Sequence, residues 1–240
     1  MGRHGTIAGR KAAQDSKRAQ VFTKYARAIT VAAKSGGDPD YNITLKHAID
    51  KAKGINMPND NIVRAIKKGT GELAGETYEE GSFEGYGAGG VAVIVDVLTD
   101  NKNRTASTVK HAFDKYGGNL GVPGCVSYMF ERKGVILIEN TKALNEDRLM
   151  EDALEAGAED MIPDDEFFEI ITLPENFSQV SDALRKSGYE FASDDIEYVP
   201  SVMADPGEEE MKSLRKMIEA LEDNDDVQKV YHNSQTSIEY

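Results

Sequence analysis

Residues 134–200 read GVILIENTKALNEDRLMEDALEAGAEDMIPDDEFFEIITLPENFSQVSDALRKSGYEFASDDIEYVP. The run Val135-Ile136-Leu137-Ile138 has the branching and length of a buried strand. Leu149, Met150, Ala153 and Leu154 then recur at helical spacing over 146–155. A short strand near 158–162 and another over 167–173 follow. A second amphipathic helix over 175–187 uses Phe177, Val180, Ala183 and Leu184 and stops at Gly188. With a last strand near 189–199 the order is β-α-β-β-α-β, a ferredoxin-like arrangement.

Outward from this unit, Asp205-Pro206-Gly207-Glu208 has the form of a helix start, with Asp as N-cap and Pro at the first position. That helix runs to about 221, and 227–231 makes a closing strand. One helix and one strand cannot form a domain, so they complete a sheet begun upstream. There, Val91-Ala92-Val93-Ile94-Val95-Asp96-Val97-Leu98 reads as a buried strand. A helix over 104–116 with Val109, Ala112 and Phe113 inward follows it. Strands at 125–130 and 135–138 are expected to turn at Lys133-Gly134. The first third is helical: 12–34 on Phe22, Tyr25, Ile29 and Ala32, then 43–53 and 59–68, each short helix with a lysine before a capping glycine, Gly54 and Gly69. Residues 1–11 lack apolar periodicity and read as a mobile basic arm. The fold class is therefore α+β and multi-domain, with an N-terminal three-helix domain and two α/β domains, the third ferredoxin-like (βαββαβ). Its expected parts are 1–75, 76–133 plus 202–240, and an insertion at 134–201.

The chain has 240 residues, 40% hydrophobic and 29% charged, enough to bury a real core. It shows no apolar run near the ~20 residues of a bilayer span and no secretory leader. Its single cysteine excludes an intramolecular disulfide framework and fits a reducing compartment. The sequons at Asn42, Asn103 and Asn176 are then chance matches. The net charge of −14 is unevenly spread. Residues 1–70 hold 14 Lys/Arg against 5 Asp/Glu, whereas 71–240 hold 14 against 37. A basic segment on an acidic body suits a polyanionic partner, although a solvated helix with no partner gives the same count.

Catalytic signatures are missing. His4, His47, His111 and His232 are scattered with no metal-ligand spacing, and Cys125 sits beside Val126 as a buried, inert thiol. There is no Gly-x-Ser-x-Gly elbow or Walker motif. Gly85-Tyr86-Gly87-Ala88-Gly89-Gly90 precedes its strand instead of joining strand to helix, so it reads as a tight turn and not as a dinucleotide loop. Glu208-Glu209-Glu210 and 222–226 lack calcium-loop spacing. No enzyme, cofactor or metal is expected.

Two basic elements remain. Arg3, His4, Arg10, Lys11, Lys17, Arg18, Lys24 and Arg27 lie on the arm and first helix, with Arg10, Lys17 and Lys24 recurring every seven residues behind the apolar stripe. Such a stripe can track phosphates. In the segment 100–105, Asn103 is a candidate helix cap. Asn101, Lys102, Asn103 and Arg104 would face outward as a second contact, and a plain cap and turn explains the segment equally well.

Several motifs resemble the YebC/PmpR family, whose mitochondrial relative is the translational activator of cytochrome c oxidase. They are Arg10-Lys11-Ala12-Ala13-Gln14-Asp15-Ser16-Lys17-Arg18, Phe22-Thr23-Lys24, Ile29-Thr30-Val31-Ala32-Ala33, Asn56-Met57-Pro58-Asn59-Asp60-Asn61-Ile62, Tyr86-Gly87-Ala88-Gly89-Gly90-Val91-Ala92, Thr99-Asp100-Asn101-Lys102-Asn103-Arg104-Thr105 and Gly117-Gly118-Asn119-Leu120-Gly121. The family's usual Gly-His-Ser-Lys-Trp opening is shortened here, with His4 but no tryptophan. The resemblance implies three domains and a non-enzymatic cytoplasmic factor in gene expression. Members are labelled DNA-binding transcriptional regulators, and others resemble ribosome-associated factors that assist translation, including through proline-rich stretches. A monomer with a basic arm suits irregular rRNA, so the ribosome is the favoured partner and promoter DNA the alternative. A protein-interaction adaptor working through the acidic domains is a third reading. No membrane partner is expected.

Overall fold

The structure is a computed structural model that describes residues 3–141 and 144–235, with the side chains of the first helix described from Lys17 onward. It divides into two compact units, one made of residues 1–126 and 204–240 and the other spanning Ser127–Met203. Among the described residues no helix is long and apolar enough to cross a membrane.

In the first unit, α1 (Arg3–Ala32) is a 30-residue helix. It begins at Arg3, which corrects the reading of 1–11 as an arm. The stretch has no apolar stripe and includes Gly5 and Gly9, so its sequence carries no helical signal of its own, and its helix is continuous with the amphipathic stretch that follows. Phe22, Tyr25, Ala26, Ile29 and Ala33 pack onto α2 (Ile43–Gly54) and α3 (Asn59–Gly69) around Leu45, Ile49, Ile62 and Ala65. Asn42 caps α2, its side-chain oxygen accepting from Leu45 N at 3.1 Å. The left-handed residues after these two helices are Asn56 (φ 57°) and Gly71 (φ 83°), not the expected Gly54 and Gly69. Gly69 serves close approach instead: a Cβ there would run into the Thr30 carbonyl and lie 2.6 Å from the Ala33 Cβ.

The remainder of this unit is a four-stranded sheet in the order β3-β1-β2-β8. The strands are β1 (Glu79–Tyr86), β2 (Ala92–Thr99), β3 (Asn119–Leu120) and β8 (Val227–His232), and all neighbours are antiparallel. Helices α4 (Lys102–Lys115) and α7 (Glu208–Glu222) contribute Val109, Phe113, Leu214, Met217 and Leu221 to one core with Val91, Val93, Val95 and Val97. The closing helix and strand thus join the sheet begun at β1. Gly207, with no side-chain bond, occupies the cap position of α7 that Asp205 was expected to fill. The Gly-rich segment between β1 and β2 is a turn, with Gly89 and Gly90 at φ 71° and 73°.

No strand covers 125–130 as expected. The Glu84 carboxylate accepts from Gly124 N at 2.9 Å and Val126 N at 3.0 Å, so these amides are satisfied by a side chain and not by a strand partner. Cys125 is half-buried in this loop, where burial and the nearby Glu84 push its thiol pKa up.

The second unit is an antiparallel sheet in the order β5-β6-β4-β7. It is built from β4 (Phe130–Glu139), β5 (Asp160–Pro163), β6 (Phe167–Thr172) and β7 (Ser193–Pro200), with α5 (Glu146–Ala156) after β4 and α6 (Phe177–Lys186) after β6. This is the ferredoxin-like order read from the sequence. Ile136, Ile138, Leu149, Phe168, Ile170 and Leu184 form its core. β4 runs straight through Lys133 and Gly134, where a turn was expected. Gly134 is there for packing, since a Cβ would run into Thr172 Oγ1 and lie 2.6 Å from the Phe177 ring.

These close approaches make a testable contrast. Gly69→Ala should cost about 1–3 kcal/mol through overpacking against α1. Gly54→Ala meets nothing within 4 Å and should be neutral or slightly stabilising. Urea denaturation followed by circular dichroism separates the two, and equal midpoints would refute the packing argument.

Candidate nucleic-acid interface

On α1, Gln20, Lys24 and Arg27 are spaced i, i+4, i+7, on the side of the helix opposite Phe22, Tyr25 and Ile29. All three reach the α7–β8 turn within the same unit. Gln20 Nε2 donates to the Asp223 carbonyl at 3.3 Å, and Lys24 Nζ to the Glu222 carbonyl at 2.5 Å. These carbonyls end α7 and have no acceptor role inside the helix, so a cation there also complements the helix dipole. Burial pushes the Lys24 pKa down, against the raising effect of Glu222, Asp225 and Asp223.

Arg27 is the deepest of the three. Its Nη1 donates to Leu98 O at 3.1 Å, Asp225 O at 2.8 Å and Asp226 Oδ1 at 2.5 Å. Its guanidinium lies 5.0 Å from the Tyr78 ring centroid. Asp226, with only 5% of its side chain exposed, also accepts from Thr105 Oγ1 at 2.7 Å and from Arg104 Nη2 at 2.9 Å. Burial works against the Asp226 carboxylate, but the bonds from Arg104, Thr105 and Arg27 outweigh it and hold its pKa below the usual carboxylate range.

The residues expected to bind phosphate are therefore divided. Lys24 and Arg27 serve a clamp inside the protein. Arg104 is paired with Asp100 and Asp226, and Lys102 with Glu79 at 2.7 Å. Asn101, not Asn103, caps α4 by accepting from Arg104 N at 3.0 Å. Asn103 is exposed. Lys17 and Arg18 are exposed, with the Arg18 guanidinium 5.3 Å from the Phe22 ring centroid. The side chains of Arg3, His4, Arg10 and Lys11 lie outside the described residues.

The clamp borders an open cleft of about 490 Å³ whose lining includes Glu76, Asp100, Asp223 and Asp225. Four further carboxylates around Asp226 make it hostile to phosphate. A different set of cations faces solvent. Arg64, Lys67 and Lys68 share the outer side of α3, opposite Ile62, Ala65 and Ile66, and Lys46 and Lys53 are exposed on α2. These cations belong to the basic first third, but the stripe expected from sequence lies on the arm and first helix. Their i, i+3, i+4 spacing, set against the apolar positions between them, was the available signal.

These features define a class: a multi-domain α+β protein with a basic helical module at its N-terminal end. The chain matches the family models described as TACO1/YebC protein N-terminal domain, over residues 3–72, and TACO1/YebC second and third domain, over 78–234. It belongs to the TACO1/YebC family. A relative in Clostridioides difficile (strain 630), named a probable transcriptional regulatory protein, is 57% identical over 235 residues, covering 97% of this chain and 98% of that one. A relative of the same description in Clostridium novyi (strain NT) is 53% identical, covering 98% and 96%. The crystal structure of a conserved hypothetical protein from Aquifex aeolicus is similar with a TM-score of 0.85 at 46% identity, covering 94% of this chain and 93% of that one. The family carries a regulator's description, not an enzyme's.

Truncating Arg27 leaves Asp226 buried without its deepest partner, so Arg27→Ala should cost about 3–5 kcal/mol in urea denaturation. Arg104→Ala, at a half-exposed and solvent-screened rim, should cost far less than Arg27→Ala. Because the folded-state pKa of Asp226 is depressed, its contribution is present above the unfolded value of about 4 and lost as pH falls below it. Asp226→Asn should flatten the acid limb of a stability–pH curve. An unchanged limb would show that this carboxylate does not govern it.

Proposed function

We propose that this protein is a non-enzymatic regulator of gene expression that binds nucleic acid through its helical module. The single observation carrying the reading is the division of cations: those of the α1 clamp are engaged internally and Lys102 and Arg104 are paired with carboxylates, whereas Arg64, Lys67 and Lys68 on α3, with Lys17 and Arg18 on α1, are exposed on a module of strongly positive charge. Acidic residues elsewhere repel non-specific wrapping and confine the phosphate backbone to this module. The favoured target is RNA of the ribosome, bound by a cytoplasmic monomer that assists translation, including elongation through proline-rich stretches. A helical surface with scattered cations fits irregular RNA, read by shape and phosphates. A second reading, a DNA-binding transcriptional regulator, is favoured by the description that the bacterial relatives carry.

Reversing Arg64, Lys67 and Lys68 to glutamate should weaken binding to ribosomal RNA at least tenfold and lower the log–log salt slope by about 2–3, with the fold intact. Reversing Lys11, Lys17 and Arg18 tests the α1 end in the same way. Gradient sedimentation of native lysate with nuclease-treated controls decides between targets. Co-migration with ribosomal particles, lost in the reversed variants, supports the translation reading. Absence from those fractions, with specific promoter DNA recovered by crosslinking, overturns it in favour of the second.

A further inference from the structure

We propose that Tyr41 is a stacking platform for an unpaired base, so that the helical module takes single-stranded nucleic acid, or unpaired nucleotides within a folded RNA, in preference to a duplex. The inference rests on the nucleic-acid reading above and names the class of ligand. Tyr41 is 92% exposed, and Ile43, two residues on, is 64% exposed. An aromatic ring left in water forgoes a large burial gain.

The turn that carries it is locked. Between them Asn42 is buried, its Nδ2 donating to the carbonyls of Ala32 and Gly36, both at 2.8 Å, while its Oδ1 caps α2. Before it, Asp38 accepts Tyr41 N on its carbonyl at 3.2 Å and Asp40 N on its carboxylate at 3.0 Å. With the backbone fixed on both sides, the ring cannot fold back into the core. A rigid tyrosine has only two side-chain torsions to order on binding, so little entropy is lost.

The surroundings select the form of nucleic acid. Ile43, Lys46, Asp50 and Lys53 lie at i, i+3, i+7 and i+10 along the outer side of α2, placing an apolar contact beyond the ring and then two lysines with one carboxylate between them. Asp38 and Asp40 precede Tyr41 in the same turn and are both exposed. A duplex, which shows its phosphates and keeps its bases stacked inside, meets these carboxylates first. A single strand can turn a base to the ring and keep its phosphates towards the lysines. Stacking on one aromatic tolerates any base, because each has a π-face.

Fluorescence anisotropy of the full chain with a short unstructured RNA strand, and with a blunt RNA duplex of equal charge, tests this. Tyr41→Ala should weaken the single strand by about 5- to 100-fold, the range for loss of one base–aromatic stack. It should leave the duplex unchanged, and Tyr41→Phe and Tyr41→Trp should retain single-strand binding. Equal loss on both probes, or wild-type binding of both by Tyr41→Ala, overturns the inference, the second outcome leaving the ring to a protein surface. If the wild-type chain binds neither strand nor duplex, the nucleic-acid reading itself falls, and this inference with it.

Discussion

Asp226 is a buried carboxylate shared by two arginines that lie 77 positions apart in the chain, Arg27 on α1 and Arg104 on α4. The helical core around Ile29 and Leu45 and the α/β core around Val95 and Leu214 are separate apolar clusters. Hydrophobic burial therefore holds each part together without joining them. The joint is polar: Gln20, Lys24 and Arg27 on one side, the α7–β8 turn and the end of β2 on the other. Polar joints are weak when wet and costly when half-made, so the arrangement depends on every buried group being met. Asp226 meets that requirement with four donor side chains, those of Arg27, Arg104, Thr99 and Thr105. The Arg27 Nε is buried with no partner, one unmet cost at the centre of the joint.

Much of the fold was legible because strand and helix periods differ and glycines mark the ends. The ferredoxin-like unit could be read from the apolar run Val135-Ile136-Leu137-Ile138 and the helical spacing of Leu149, Ala153, Val180 and Leu184. Two of the failures share a cause, which is that glycine has two uses. Gly134 read as a turn because glycine commonly permits one, yet it is a strand residue that gives room to Phe177. Gly81 and Gly85 dilute the alternation of β1, so that strand was not recognised. Gly85 is small because a Cβ would stand 2.8 Å from the Phe113 ring. Close approach is a property of the partner's position, and a single sequence does not contain it.

The candidate site was legible in charge and illegible in assignment. A lysine or arginine on a helix face has the same spacing whether its partner is a phosphate, a carbonyl at a helix end or a carboxylate. Heptad recurrence from Arg10 to Lys24 selected the face of α1 opposite its apolar stripe, and Lys24 on that face is one of the clamp residues. What separates clamp from contact is the location of residues 222–226, nearly 200 positions away in sequence. Asn101 and Asn103 differ in the same way: either can cap by type, and the geometry of the turn chooses Asn101.

The clamp also fixes how the protein's charge is displayed. The Ser127–Met203 unit holds 6 Lys/Arg against 19 Asp/Glu, and the module at 1–70 has the opposite bias. Here Lys24 and Arg27 are committed to the end of α7 and to Asp226, and the acidic cleft beside them repels phosphate. The cations on the outer side of α3 belong to a helix whose inner side is fixed by Ile62 and Ala65 against α1. Their orientation follows from core packing, so it persists when the ionic strength changes, whereas the strength of any phosphate contact they make does not. Packing thus sets where the positive surface is, and screening sets how tightly it holds.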